Sequence, residues 1–184
     1  GLAALGHPVD IEKVRQTAIE AAHLEGFNRS PADVTLRRLI SFALSPTLKT
    51  SFEQIYAPPL IVECLFAEVG LQPGQDVLVR VHHDGNHYYR SEGVLVAHHD
   101  PEREDEARGW LQERLSPEHS LLRAIGLCLE VWLAITENRS FSEEALQGDP
   151  RRSLPGKVIE AALLDRQAGG PVHYHPLEMA TLKP

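Results

Sequence analysis

Histidine is the residue type here with the most chemical potential: His82, His83, His87, His98, His99, His173 and His175 all lie at or near strand ends and turns. Neutral imidazole is a common metal ligand, so these positions are the first place to look for a metal centre. Strand alternation puts His173 and His175 on one face, whereas neighbours such as His82 and His83 point to opposite faces and cannot share an ion. A His-x-His pair also needs a third and a fourth ligand, and no carboxylate or cysteine stands at a recognisable spacing beside it. His173, His175, His98 and His99 are the candidates, but solvent-exposed or hydrogen-bonded histidine is the favoured reading, with no cofactor. A Ser-His-Asp arrangement finds no G-x-S-x-G elbow. Cys64 and Cys128 each sit inside an apolar run (ECLFAEV and LLRAIGLCLEVWLAI). They read as buried small hydrophobes, neither a disulfide nor a metal pair, as suits a reducing compartment.

The remaining charged and aromatic groups read as structural. Arg37-Arg38 and Arg151-Arg152 are solvated surface pairs, and Glu102 to Glu106 is an exposed acidic first helical turn. Trp110 and Trp132 fit amphipathic helices, as core or subunit-interface residues. Tyr88-Tyr89, at the hairpin tip, could mark a contact surface. A net charge of −8 with basic residues interspersed among acidic ones argues against a nucleic-acid partner. No apolar run reaches the ~18 residues a membrane span requires, and the start, GLAALGHPVD, lacks a signal-peptide pattern, so a cytoplasmic protein is expected. The 184 residues, 42% of them apolar, suit one domain, 1–184.

These groups must be positioned by elements that the pattern predicts in order. Val9 to Leu24 is a helix opened by Pro8 and stopped near Gly26. Leu36 to Ile55 is a longer apolar stripe, with Pro46 kinking it or splitting it in two near Ser45. Three strands follow, at Leu60 to Val69, Val77 to His82 and Gly93 to Ala97, with an Asp84-Gly85 hairpin turn between the last two. Asp100-Pro101 starts one helix and Ser116-Pro117 the next, whose face is Leu121, Leu122, Ile125, Leu129, Trp132 and Leu133 and which should be deeply buried. Asn138 to Pro155 is a surface loop, with a helical turn at Ser142 to Leu146. Strands at Lys157 to Leu164 and Val172 to His175, joined by a turn at Ala168 to Pro171, precede a short helix at Pro176 to Leu182. Helices on antiparallel sheets make this α+β.

Three local motifs in this order resemble a known family. Pro59-x-x-Val62-Glu63 followed by Ala67-Glu68-Val69, the Asp84-Gly85 turn, and Ile159-Glu160-Ala161-Ala162-Leu163-Leu164-Asp165 are similar to segments of actinobacterial-type proteasome α subunits. Asp33-Val34-Thr35 before the long helix also fits. The resemblance covers nearly the whole chain, with departures: the family's N-terminal extension and first pair of strands have no counterpart, and Gly1 to Gly6 looks like the end of a later strand. His98-His99 replaces the family's Gly-Gly, and the Asn138 to Pro155 loop is an insertion.

The resemblance implies an N-terminal-nucleophile (Ntn) hydrolase fold, a four-layer αββα sandwich of antiparallel sheets, in a non-catalytic version. Catalytic β subunits of that family use an N-terminal threonine. This chain shows no such threonine, and Thr17, Thr35, Thr47, Thr50, Thr136 and Thr181 read as helix or cap residues. The implied function is a ring of like subunits that caps and gates catalytic β-type rings, with an ATPase activator as a further partner. Ring contacts are expected from the first two helices. The runner-up is a stand-alone relative without ring formation, acting as a binding or assembly protein through its histidine-rich strand ends.

Overall fold

In a computed structural model of the chain, residues 1–72, 74–90, 93–142, 160–168 and 173–177 are described. They form two compact units, Gly1–Ala97 and His98–Pro184. Both combine helices with antiparallel strands, the α+β class that the pattern predicts.

The first unit begins with strand β1 (Leu2–Gly6) and helix α1 (Pro8–Asn28). His7 caps α1, its Nδ1 accepting the Val9 N–H at 3.3 Å, and Pro8 occupies the first turn, where a missing donor is harmless. Gly26 does not stop this helix. Glycine inside a helix costs only about 1 kcal/mol relative to alanine, and α1 runs on to Asn28, just short of Ser30-Pro31.

The long stripe is helical in three pieces: α2 (Leu36–Leu39), a π-turn over Ile40–Leu44, and α3 (Ser45–Glu53). Thr35 Oγ1 caps it by accepting the Arg38 N–H, and the Glu68 carboxylate reaches across to accept the Leu36 N–H at 2.5 Å. The break expected near Ser45 is this π-turn. Ser45 N–H donates to the Ile40 carbonyl, one residue further back than in an α-helix, immediately before Pro46, which has no N–H to give.

Strands β2 (Val62–Glu68), β3 (Val77–Val81) and β4 (His87–Arg90) join β1 in an antiparallel sheet of order β1-β2-β3-β4. Cys64 pairs with Ala4 on one side and Val81 on the other. Alternation then sends Val62, Cys64, Phe66, Val79 and Val81 into one core with Val14, Ala18, Leu36, Ile40, Leu44 and Leu48 of the helices.

The hairpin differs from the sequence expectation. Its second arm is His87–Arg90, and Gly93 to Ala97 is not a strand. The turn is the cause: Gly85 N–H donates to the His82 carbonyl at 2.9 Å and His82 N–H to the Asn86 carbonyl at 2.8 Å, so the chain reverses at once. Whatever follows Asn86 must pair with β3, and the aromatic pair Tyr88-Tyr89 suits a strand as well as the more apolar GVLVA does. Gly85 is obligatory, because its φ is +85° and a Cβ there would lie 2.5 Å from the Ser45 carbonyl oxygen. Ser45 Oγ in turn donates to the Gly85 carbonyl at 2.6 Å, pinning the turn to the start of α3.

In the second unit, Asp100 caps α4 (Pro101–Arg114) by accepting the Glu102 N–H at 3.0 Å. Helix α5 (Leu121–Thr136) starts later than Ser116-Pro117 predicts. Ser116 only closes a turn onto the Glu118 N–H, and Ser120 is the cap, accepting from Arg123. The buried face also differs. Leu127, Leu129, Glu130, Val131 and Ala134 are inside, while Trp132 is 42% exposed and Cys128 lies on the exposed side. A helix apolar almost all round leaves several faces open for burial, so the pattern does not select one.

Glu130 is fully buried, and its carboxylate takes a bidentate pair from Arg139 at 2.6 and 2.9 Å and the Ser142 N–H at 2.8 Å. These bonds fold the chain back after α5, where Asn138 adopts a positive φ of 50°. Strands β5 (Ala161–Leu164) and β6 (Tyr174–Leu177) pair antiparallel, Leu163 opposite His175. Pro176 and Leu177 are therefore strand, not the start of a helix: proline is tolerated on an edge. The predictions for Ser142 to Leu146, for the first residues of Lys157 to Leu164, for the turn after Ala168, for Val172 and for the rest of Pro176 to Leu182 fall outside the described residues.

Two measurements test this account. Arg139→Ala strands a buried carboxylate and is expected to cost about 3 kcal/mol in urea unfolding, most of it recovered in Glu130→Leu/Arg139→Met. The Asp84 carboxyl is held below its ordinary value of 3.8, chiefly by the Asn86 N–H. Its contribution is thus present above the unfolded-state value and lost as pH falls through the lower folded one. The stability gap between wild type and Asp84→Ala should be under about 1 kcal/mol at neutral pH, because the group is exposed, and should close in acid.

Candidate interaction surface

The end of α1 and the start of α2 enclose a groove of about 170 Å³, lined among others by Ala21, Leu24, Val34, Leu39 and Phe42. Its apolar rim is unusually open: Leu24 is 62% exposed, Phe42 74%, and Phe27, one turn from Leu24, 88%. Helix α1 keeps only Val14 and Ala18 fully inside. Its apolar residues are too widely distributed for one buried stripe, and the surplus faces outward.

Charge frames the groove. Arg38 is ion-paired to Glu25 at 2.7 Å and lies 5.3 Å over the Phe42 ring, and Arg29 reaches the same carboxylate at 3.2 Å. Two guanidiniums thus share one carboxylate. Arg37 stacks on Tyr89 at 4.7 Å. Of the pair Arg37-Arg38, expected to be solvated, Arg37 is exposed with one face on the Tyr89 ring, while Arg38 is half-buried in its pairing with Glu25 of α1. Tyr89 packs against the core, its hydroxyl 3.3 Å from Ser41 Oγ, while Tyr88 remains 60% exposed. Neither tyrosine is at the hairpin tip. The acidic run of α4 is likewise not all solvated, since Glu104 is buried and accepts the His98 N–H at 3.2 Å.

The histidines are used locally. His98 Nδ1 accepts the Asp100 N–H at 3.1 Å, and its ring lies 4.0 Å from that of His99. His173 Nδ1 is 2.8 Å from the Asp165 carbonyl, and His175 is exposed on β6. Among the described residues no three His, Cys, Asp or Glu side chains are grouped to hold a metal. Sequence reasoning missed one cluster: Glu63 Oε1 takes both Arg80 Nε and His82 Nδ1 at 2.7 Å on the sheet face away from the helices. The Cys64–Val81 register places Glu63 opposite His82, so correct strand pairing is the signal that reveals it. Three of the threonines serve helices: Thr17 and Thr136 donate to the carbonyls of Lys13 and Trp132, and Thr35 caps α2, while Thr181 lies outside the described residues. Burial pushes the Cys64 thiol up to about 12, far from a reactive thiolate.

No family model matches the chain. It is 29% identical over 166 residues to the proteasome subunit alpha of Streptomyces coelicolor, an alignment covering 90% of this chain and 59% of that protein. Against the proteasome subunit alpha of Jonesia denitrificans it is 30% identical over 168 residues, 90% of this chain and 64% of the relative. The match to the same subunit of Actinosynnema mirum is tighter and shorter, 41% over 87 residues. This chain is a relative of the proteasome α subunits. It spans about 59% of the length of the Streptomyces coelicolor relative. Among the described residues of this α-type relative, no helix is long and apolar enough to cross a membrane.

Thiol labelling checks the contrast between its two cysteines. In the folded chain Cys128, exposed at its residue level although burial raises its thiol above the ordinary value, should react with a maleimide faster than Cys64, and Cys128→Ser should remove the faster phase.

Proposed function

We propose that the chain acts as a non-catalytic α-type subunit of a self-compartmentalised protease in the cytoplasm. Like copies assemble into a ring that caps catalytic β-type rings and restricts substrate entry, with an ATPase activator docking on the complex. The observation that carries this reading is the similarity to proteasome α subunits along 90% of the chain. On the same reading residues 1–184 make one Ntn-hydrolase-like domain with αββα layers, and neither metal nor cofactor takes part. The exposed apolar surface at α1 and α2 supports assembly, since a contiguous patch of this kind on a soluble protein commonly marks a contact with another chain. His98, His99, His173 and His175 then have structural or solvent-facing roles.

Light scattering coupled to size exclusion, on the protein alone and mixed with a β-type subunit from the same cell, tests the proposal. A ring-sized particle in either sample is expected. A monomer or dimer in both overturns it, and covalent labelling of any Ser or Thr by a hydroxyl-directed inhibitor overturns its non-catalytic part.

A further inference from the structure

A second line of residues runs along the helical rod beside the buried one. Arg37, Ser41, Ser45 and Lys49 each follow a residue of the apolar line Leu36, Ile40, Leu44 and Leu48, and all four meet the β3–β4 hairpin. Arg37 lies 4.7 Å over the Tyr89 ring, and its carbonyl accepts from the Tyr89 hydroxyl at 3.4 Å. That hydroxyl is also 3.3 Å from Ser41 Oγ. Ser45 Oγ donates to the Gly85 carbonyl at 2.6 Å, and a Cβ on Gly85 would stand 3.1 Å from the Cβ of Lys49. The hairpin therefore holds the rod both before and after the π-turn at Ile40–Leu44.

A straight α-helix would not present this line to one hairpin. A four-residue step overshoots a full turn by about 40°, so Arg37 and Lys49 would stand about 120° apart around the axis. The π-turn carries one more residue between bonded groups and takes rotation out. Pro46 supplies no equivalent reason, because a proline inside a helix can be met by a kink alone. The same turn also shapes a second surface. Phe42 and Ala43 lie within it and line the groove beside α1.

We propose that hairpin and π-turn form one latch. The hairpin, seated along Arg37, Ser41, Ser45 and Lys49, holds the extra residue in the rod, and the π-turn in turn holds Phe42 at the groove. A change at the β3–β4 turn is thereby transmitted to the α1–α2 surface. This coupling lies within one copy of the chain and holds with or without ring assembly.

Hydrogen exchange followed by NMR on the full chain tests it, with Ser45→Ala, Tyr89→Phe and Pro46→Ala compared with wild type. The probe is the amide of residue 45, which donates to the Ile40 carbonyl, corrected for intrinsic rate. In Ser45→Ala and in Tyr89→Phe it should exchange about tenfold faster, with the Phe42 ring resonances shifted and the amides of Cys64 and Val79 unchanged. In Pro46→Ala it should keep its wild-type rate within about threefold, since the hairpin still holds the turn. If Pro46→Ala releases this amide and the other two variants do not, proline sets the winding and the latch is overturned. An equal rise at Cys64 and Val79 means that the whole unit opens, which overturns it as well. A faster amide with unmoved Phe42 resonances overturns the link to the groove.

Discussion

The first unit depends on keeping one apolar line of a long helical rod against one face of a sheet. Leu36, Ile40, Leu44 and Leu48 are four residues apart and all buried against β2 and β3. In a straight α-helix of 3.6 residues per turn, a four-residue repeat drifts about 40° around the axis at each step, so the last residue would have rotated off the sheet. The π-turn at Ile40–Leu44 winds more slowly and brings the line back. A local defect in the backbone ladder is thus what lets the stripe stay in register with the sheet, and burial of each such side chain, worth about 1.5–3 kcal/mol, offsets its cost.

The hairpin follows from the same arrangement. Ser45 ends the π-turn, and its hydroxyl and carbonyl face Gly85, so the turn between β3 and β4 is fitted to the rod. That placement brings β4 under α2, where Tyr89 meets Ser41 and Arg37. Elsewhere, charges taken out of water are matched within the structure. Glu130 is satisfied by Arg139 and the Ser142 amide, Glu63 by Arg80 and His82, and Glu68 by the first amide of α2. Histidines that looked like candidate ligands are spent on caps, strand ends and this pairing. Among the described residues, Leu24, Phe27, Phe42, Ile55 and Tyr56 leave apolar surface exposed in the first unit.

Local chemistry determined by the sequence alone was legible wherever the signal and its effect are only a few residues apart. Pro8 and Asp100-Pro101 open helices because they satisfy or remove orphan donors at that very turn, and Asp84-Gly85 reverses the chain because glycine alone tolerates its φ. The apolar alternation of Val62–Glu68 reads as a strand, and the short motifs around it, taken in order, point to the family. Only the tertiary structure decided which residues meet. It chose His87–Arg90 over the more apolar Gly93 to Ala97 as the partner of β3, turned Cys128 and Trp132 outward on a helix apolar nearly all round, and set Glu63 beside His82. The reason is common to all of these: pairing register and the choice of buried face are properties of two surfaces together, and a single strand or helix carries only one of them.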